Sequence, residues 1–385
     1  MTDDQPISIN LNFSEARQVA ERVWELPAWH TWWGRAVYPL MIASKEGYLF
    51  PLGTAFSFSK LNHIFTARHN IEGGLQQHHP NKDRFIRDGL EAARRSGTID
   101  HTQFAIVSQG PNPEKGDVSF NVRGFDSIHA APPTDLVIGN FLNDDSALIP
   151  TLVPTITFAP PRVGEIVRCV GYCDSTVPEN GLSVDEIISG RLDPYKEFSH
   201  RLLAVEGQVK NFFVNGLSSS FVQGPCFTID AEVPNGLSGG PIFNSNGAVC
   251  GAVYSGASMF FDEPTTVGAL FYPIFLLRLS FGGLMAGGRF TFRATERPMA
   301  ELVATQAIRT DGAEEKQLHF TPEEEGTRVG AAFHKDDAAF IFEDFEAFQA
   351  GKPIAPLEDQ KVRGFQPNLD HPLVKKRRSL DDESS

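Results

Sequence analysis

Cysteine is scarce: Cys169, Cys173, Cys226 and Cys250 are the four in 385 residues. So few cannot build the disulfide framework of a small secreted scaffold. Cys169 and Cys173 form one C-x3-C pair, but no second pair completes a tetrahedral zinc site, so buried free thiols are expected and no metal. Basic residues are also short, with Lys+Arg 34 against Asp+Glu 48 and a net charge of −14. That sign repels phosphate backbones and anionic bilayers, which argues against nucleic-acid and membrane partners. The acidic start, Met1-Thr2-Asp3-Asp4, lacks the basic and then apolar run of a secretory leader. No apolar run reaches 18 residues; the nearest, Val267 to Leu277, is broken by Gly268 and Pro273. A soluble, cytoplasmic protein is expected. Tyrosine is rare (6) beside 31 Phe, so aromatic side chains serve mainly burial. No internal repeat stands out.

What is present favours strands. Gly (34) and Pro (26) are plentiful, and 41% hydrophobic residues supply a sizeable core. The length suits two domains better than one. Residues 14–26 read as an amphipathic helix, with Ser14 as cap and Val19, Val23 and Leu26 at helical spacing. The four tryptophans, Trp24, Trp29, Trp32 and Trp33, cluster at its end and are expected to pack this segment, 1–33, onto the rest. From Gly34 short strands alternate with turns: Arg35–Ser44, Tyr48–Ser59, His63–Thr66, Gln103–Ser108, Val118–Gly124 and Leu136–Asn140. Residues 81–97 read as an exposed helical insertion. After a proline-bearing connector (Pro150, Pro154, Pro160, Pro161) come Gly164–Tyr172, Arg201–Val209, Gly224–Asp230, Gly239–Asn244, Ala248–Ser255 and Thr265–Leu270. Strands at this spacing mean sandwich or barrel. Residues 291–385 read as an extension: a helix over Pro298–Ile308, an acidic stretch, and a disordered tail with Lys375-Lys376-Arg377-Arg378.

The segment Asn235-Gly236-Leu237-Ser238-Gly239-Gly240-Pro241 carries the chemistry. A nucleophilic Ser needs a tight turn and converging backbone N–H groups where an oxyanion forms. Flanking glycines permit the positive φ and close approach such a turn demands. By composition alone, G-x-S-G-G-P recurs in on the order of one such chain in a thousand.

This segment resembles the nucleophile loop of the chymotrypsin-like (trypsin-fold) serine proteases, whose elements run His, Asp, Ser. Upstream, Gly53-Thr54-Ala55-Phe56 and Ile64-Phe65-Thr66-Ala67-Arg68-His69 resemble the family's approach to its histidine, with His63 a bystander. Thr134-Asp135-Leu136-Val137-Ile138 resembles the step that bears the acid; Asp117 and Asp126 are rivals that lack its Leu-x-Ile. The resemblance implies an all-β fold of two packed six-stranded antiparallel β-barrels. It spans about 34–290, the first barrel near 34–150 and the second near 160–290. It implies a triad of His69, Asp135 and Ser238, an oxyanion hole from the N–H groups of Gly236 and Ser238, and no cofactor. The run Phe271–Ser280 is expected to turn helical after Pro273 and close the domain.

Departures refine the resemblance. Leu237 stands where digestive members carry the Asp that receives a freshly cut N-terminus, so activation by N-terminal cleavage is not expected. Asn70 follows the histidine where secreted members have Cys. Both features, with Asp230-Ala231-Glu232-Val233-Pro234, fit the intracellular and bacterial HtrA-like branch, though no PDZ-like glycine signature follows. Glu232 sits six residues before Ser238, in the register where trypsin-like members place a carboxylate that selects Lys or Arg. It either points into that pocket or faces solvent. Tyr254-Ser255-Gly256 would form the opposite wall and pair with an extended substrate backbone. The implied activity is serine endopeptidase action on a protein or peptide. Two other readings are a catalytically silent peptide-binding module and an esterase using the same site. The extension is a candidate contact for a regulatory partner.

Overall fold

The computed structural model describes residues 16–27, 33–44, 46–78, 104–111, 118–130, 134–141, 153–214, 216–217, 222, 224–256, 261, 263–275, 277–281, 285–286, 289–290, 295–313, 318–323 and 326–331. Two strands open it, β1 (Arg17–Ala20) and β2 (Val23–Leu26), joined at Arg22 with φ 56°. The helix expected over 14–26 is therefore a β-hairpin. The helical spacing of its apolar residues is coincidental, since Val19 is 38% exposed while Leu26 alone is buried. Tertiary pairing decides the matter: Leu26, Glu25, Trp24 and Val23 face Leu202 to Val205 of a long strand in the second barrel. A short helix, α1 (Trp33–Ala36), follows, and Trp33 packs edge-on against Phe243 at 5.6 Å. Trp29 and Trp32 lie outside the described residues.

The first barrel comprises β3 (Val37–Ala43), β4 (Tyr48–Ser57), β5 (His63–Ala67), helix α2 (Arg68–His78), β6 (Phe104–Pro111), β7 (Val118–Ala130) and β8 (Leu136–Phe141). Its order β4-β3-β6-β7-β8-β5 closes on itself because β4 also pairs with β5. Gly47, at φ +80°, turns β3 into β4, a conformation that favours glycine. The insertion expected over 81–97 lies outside the described residues.

The second barrel begins with β9 (Ile166–Thr176). A two-residue β10 (Leu182–Ser183) and helices α3 (Val184–Ile188) and α4 (Pro194–Glu197) follow, then β11 (Ser199–Phe213), β12 (Cys226–Ile229), β13 (Pro241–Phe243), β14 (Val249–Gly256) and β15 (Thr266–Leu270). The ring runs β9-β11-β12-β15-β14-β13 and returns to β9. The connector between barrels is bridged at Ile156 to both Val249 and Thr310. β10 pairs back onto β4, so the β9–β11 excursion leans on the first barrel. This all-β architecture of two packed six-stranded rings is the one the resemblance implies.

Phenylalanine fills the interior: Phe56, Phe58, Phe65, Phe104, Phe158, Phe212, Phe227, Phe243 and Phe271 are all fully buried. Phe65 of β5 stacks on Phe271, just past β15, with centroids 4.9 Å apart and planes 9° apart. That pair joins the two barrels beneath the histidine-bearing turn. Burying each such ring is worth roughly 1.5–3 kcal/mol. Past β15 the expected closing helix is a single 3-10 turn, Tyr272–Ile274, with Pro273 inside it. Strand β16 (Arg278–Phe281) follows, because its backbone pairs with a later strand rather than with itself. After β17 (Met285–Ala286) and β18 (Arg289–Phe290), β19 (Thr295–Pro298) supplies that partner. Helix α5 (Met299–Ala304) is shorter than the span 298–308 read from sequence. Strands β20 (Leu318–Glu323) and β21 (Gly326–Ala331) form a terminal hairpin. Packing runs across residue 291, since Met299, Leu302, Ile308, Leu318 and Ala331 join the main core. The basic tetrad lies outside the described residues. Among those described, no helix is long and apolar enough to cross a membrane.

Candidate active site

The histidine comes from a strand-to-helix turn. β5 is wholly buried, and α2 begins at once, so His69 is its second residue. The first N–H groups of a helix have no partner within it. Here Asp135 supplies both acceptors. Arg68 N donates to Asp135 O at 2.8 Å, and His69 N donates to Asp135 Oδ1 at 3.1 Å. The other carboxylate oxygen lies 2.8 Å from His69 Nδ1. An ionised carboxylate only accepts, so Nδ1 carries the proton and Nε2 keeps its lone pair. The side chains are 35% exposed for His69 and 9% for Asp135, so the acid is shielded and the base has an open face.

Electrostatics favour a basic imidazole. Burial pulls the pKa of His69 down, but the charge and hydrogen bond of Asp135, with the charge of Glu72, outweigh it and raise the net value. Arg68 is paired to Glu72 at 2.7 Å, which tempers that second carboxylate. On the other side the ring of Tyr254 meets the imidazole, centroids 5.1 Å apart at 35°. Tyr254 sits at a β-bulge, since Val253 faces Gly268 and Ser255 already faces Val267. A bulge of this kind re-aims a side chain.

Ser238 lies on a turn held from both barrels. Gly240 N donates to Leu237 O at 2.8 Å, and Gly239 N donates to Val253 O at 2.7 Å. The carbonyl of Ser238 accepts from Thr54 N at 2.9 Å and from Asn70 Nδ2 at 2.8 Å. Ser238 is therefore tied to the residue that follows His69. The glycines are obligatory. A Cβ on Gly239, at φ +84°, would collide with Thr54 O and lie 2.5 Å from Thr66 Oγ1 and 2.7 Å from Ala67 N. Leu237 is fully buried and anchors the turn with an apolar side chain. In this resting geometry neither Ser238 Oγ nor His69 Nε2 makes a hydrogen bond among the described residues; such bonds often tighten only on substrate binding.

Gly236, at φ +98°, and Ser238 both leave their N–H groups unbonded to protein among the described residues. Glu232 is exposed, between buried Ala231 and Val233. Ser255 and Gly256 are half-buried; β15 pairs with them on one side, while β13 reaches only as far as Ala252 on the other. Asp126 lies on β7, and Asp117 lies outside the described residues. His63 is buried with Nδ1 2.8 Å from Ser59 Oγ, away from this cluster. All four cysteines are free and buried, and burial pushes Cys169 and Cys173 up to about 12. Among the described residues, no group of His, Cys, Asp and Glu is arranged to hold a metal.

Sequence reasoning missed the hub of the site, Thr54. Its hydroxyl donates to Gly236 O at 2.8 Å and accepts from Tyr172 N at 2.8 Å, while its carbonyl accepts from Thr66 Oγ1 at 2.8 Å. No local signal marks a residue whose hydroxyl partners are 118 and 182 positions away.

No curated protein sequence matches the chain. Among solved structures it is similar to the active form of the Rv3671c protease from M. tuberculosis, at 16% identity and a TM-score of 0.35, covering 62% of this chain and 76% of that one. It is also similar to the MamO protease domain from Magnetospirillum magneticum, at 13% identity and a TM-score of 0.35, covering 62% and 92%. A third likeness is the HtrA-type protease AlgW with decapeptide, at 13% identity and a TM-score of 0.34, covering 62% and 61%. The family model described as the trypsin-like peptidase domain matches residues 53–251, just over half of the chain and the stretch that holds His69, Asp135 and Ser238. With that span matched and both barrels in place, the chain belongs to the trypsin-like peptidase family.

Proposed function

We propose that the protein is a serine endopeptidase acting through His69, Asp135 and Ser238. The observation that carries the reading is the bidentate hold of Asp135 on His69, at 2.8 and 3.1 Å, beside a Ser238 turn tied to Asn70. Ser238 Oγ attacks the scissile carbonyl while His69 Nε2 takes its proton. The N–H groups of Gly236 and Ser238 receive the oxyanion, a contribution of roughly 2.7–4 kcal/mol for each donor. His69 then protonates the leaving amine, and water repeats the sequence on the acyl-enzyme. Asp135 keeps the tautomer and stabilises the imidazolium. The raised pKa of His69 places the acid limb of activity above the usual imidazole value.

The substrate backbone pairs along the side of Ser255–Gly256 that no strand among the described residues occupies. The exposure of Glu232 supports a carboxylate at the mouth rather than at the floor of the pocket. Buried free thiols support a reducing, cytoplasmic setting. The test is digestion of an unbiased peptide library by the wild type and by Ser238→Ala. Cleavage by the wild type alone supports the reading, and equal cleavage by both overturns it.

A further inference from the structure

The nucleophile loop is pinned more thoroughly than the triad requires. Three consecutive peptides, from Gly236 to Gly239, have their carbonyls committed. Gly236 O accepts from Thr54 Oγ1, Leu237 O from Gly240 N, and Ser238 O from Thr54 N and Asn70 Nδ2. In a planar trans peptide the N–H points opposite to the carbonyl. With Leu237 O turned inward to Gly240, the Ser238 N–H is turned outward. Gly236 holds φ +98°, and its carbonyl belongs to the peptide that follows; with Gly236 O held by Thr54 and Ser238 O held by Thr54 and Asn70, the two peptides on either side of the one that carries the Ser238 N–H are anchored. The Thr54 hydroxyl has a single proton. It already accepts from Tyr172 N, so that proton goes to Gly236 O. The amide of Asn70 fills the space beside Gly53, where a Cβ would lie 2.5 Å from Nδ2. Both side chains are buried, where hydrogen bonds are least exposed to competition from water.

We infer that Thr54 and Asn70 are positioning residues that keep the oxyanion hole assembled in the unliganded chain, so the resting protein needs no partner to become competent. This rests on the peptidase reading above and adds to it the absence of a latent state. The two residues touch no reacting atom; they act through the carbonyls of Gly236 and Ser238.

The test uses the full chain and a fluorophosphonate ester probe. Ser238 Oγ attacks phosphorus, a P–O bond forms, the P–F bond breaks, fluoride leaves, and the serine proton passes to His69. The phosphoryl oxygen sits in the hole, so the limiting rate of inactivation reports on it while the probe's initial affinity does not. Thr54→Val keeps the shape and removes the hydroxyl. It is expected to lower the limiting rate about 10–100-fold with affinity unchanged, the scale of a misplaced catalytic group. Thr54→Ser restores the hydroxyl and is expected to recover the rate to within about threefold, a rescue that a packing role alone would not give. Asn70→Asp tests the second tether at constant size, turning a carboxylate oxygen toward Ser238 O, and carries the test if Thr54→Val does not fold. Folded variants that react as fast as a reactive wild type overturn the inference and leave the peptidase reading intact. A wild type that is inert to the probe yet cleaves peptides once a partner is added also overturns it. A wild type that does neither overturns the peptidase reading as well.

Discussion

Replacing Asp135 with Asn changes one atom in kind and almost nothing in volume, yet the local geometry dictates a large effect. The carboxylate faces two groups, the His69 N–H at 3.1 Å and the His69 Nδ1 at 2.8 Å. A backbone N–H can only donate, so the amide oxygen of Asn must occupy the first position. Its NH2 then faces Nδ1, which has to accept, and the ring proton moves to Nε2. The atom that should take the Ser238 proton is now occupied. A loss of about 10⁴ in kcat is expected for such a tautomer error, or about 5 kcal/mol of barrier. Stability should change little, because the bond from Arg68 N to the Asp135 main-chain carbonyl is untouched. The assay is the second-order rate of fluorophosphonate inactivation, followed beside thermal unfolding. A folded Asp135→Asn that stays within tenfold of the wild type would refute this reasoning and return the role of the acid to Asp117 or Asp126.

Two further outcomes follow from the same contacts. Gly239→Ala combines a left-handed φ with a Cβ driven onto Thr54 O and Thr66, about 2–5 kcal/mol together, and should lower Tm by roughly 5–15 °C by calorimetry. Gly73→Ala in α2 meets nothing within 4 Å and should raise Tm by a few degrees, so a matching fall at both sites would contradict the steric account. Tyr254→Ala strips an apolar cover from His69, and since burial is what lowers that pKa, the acid limb of reactivity should move to higher pH. Tyr254→Phe keeps the cover and should keep the limb, as a pH–rate profile will show.

What could be read from sequence was what is local. The Gly236–Pro241 turn demands its glycines by φ and crowding, and so announced itself. The Thr66-Ala67-Arg68-His69 run at the end of β5 and the Asp135-Leu136 step stood out for the same reason, as short segments with few conformational options, though the helix that begins at Arg68 did not. The Arg17–Leu26 hairpin was not, because a ten-residue segment takes its structure from β11, about 180 residues away. The role of Asn70 was visible only as a missing cysteine, and its bond to Ser238 spans 168 positions. Thr54 stood within the Gly53–Phe56 stretch, but its contacts gave no sign, since a threonine in a strand is ordinary until its partners are known. Tyr254 was read as part of a substrate wall, and only the bulge that follows Val253 turns it onto His69.

The most direct measurement is mass-spectrometric mapping of the fluorophosphonate adduct on the full chain. One adduct on Ser238 is expected in the wild type, none in Ser238→Ala, and a rate lower by several orders of magnitude in His69→Ala. An adduct on another residue, or equal labelling of Ser238→Ala, would contradict the assignment of Ser238 as the nucleophile.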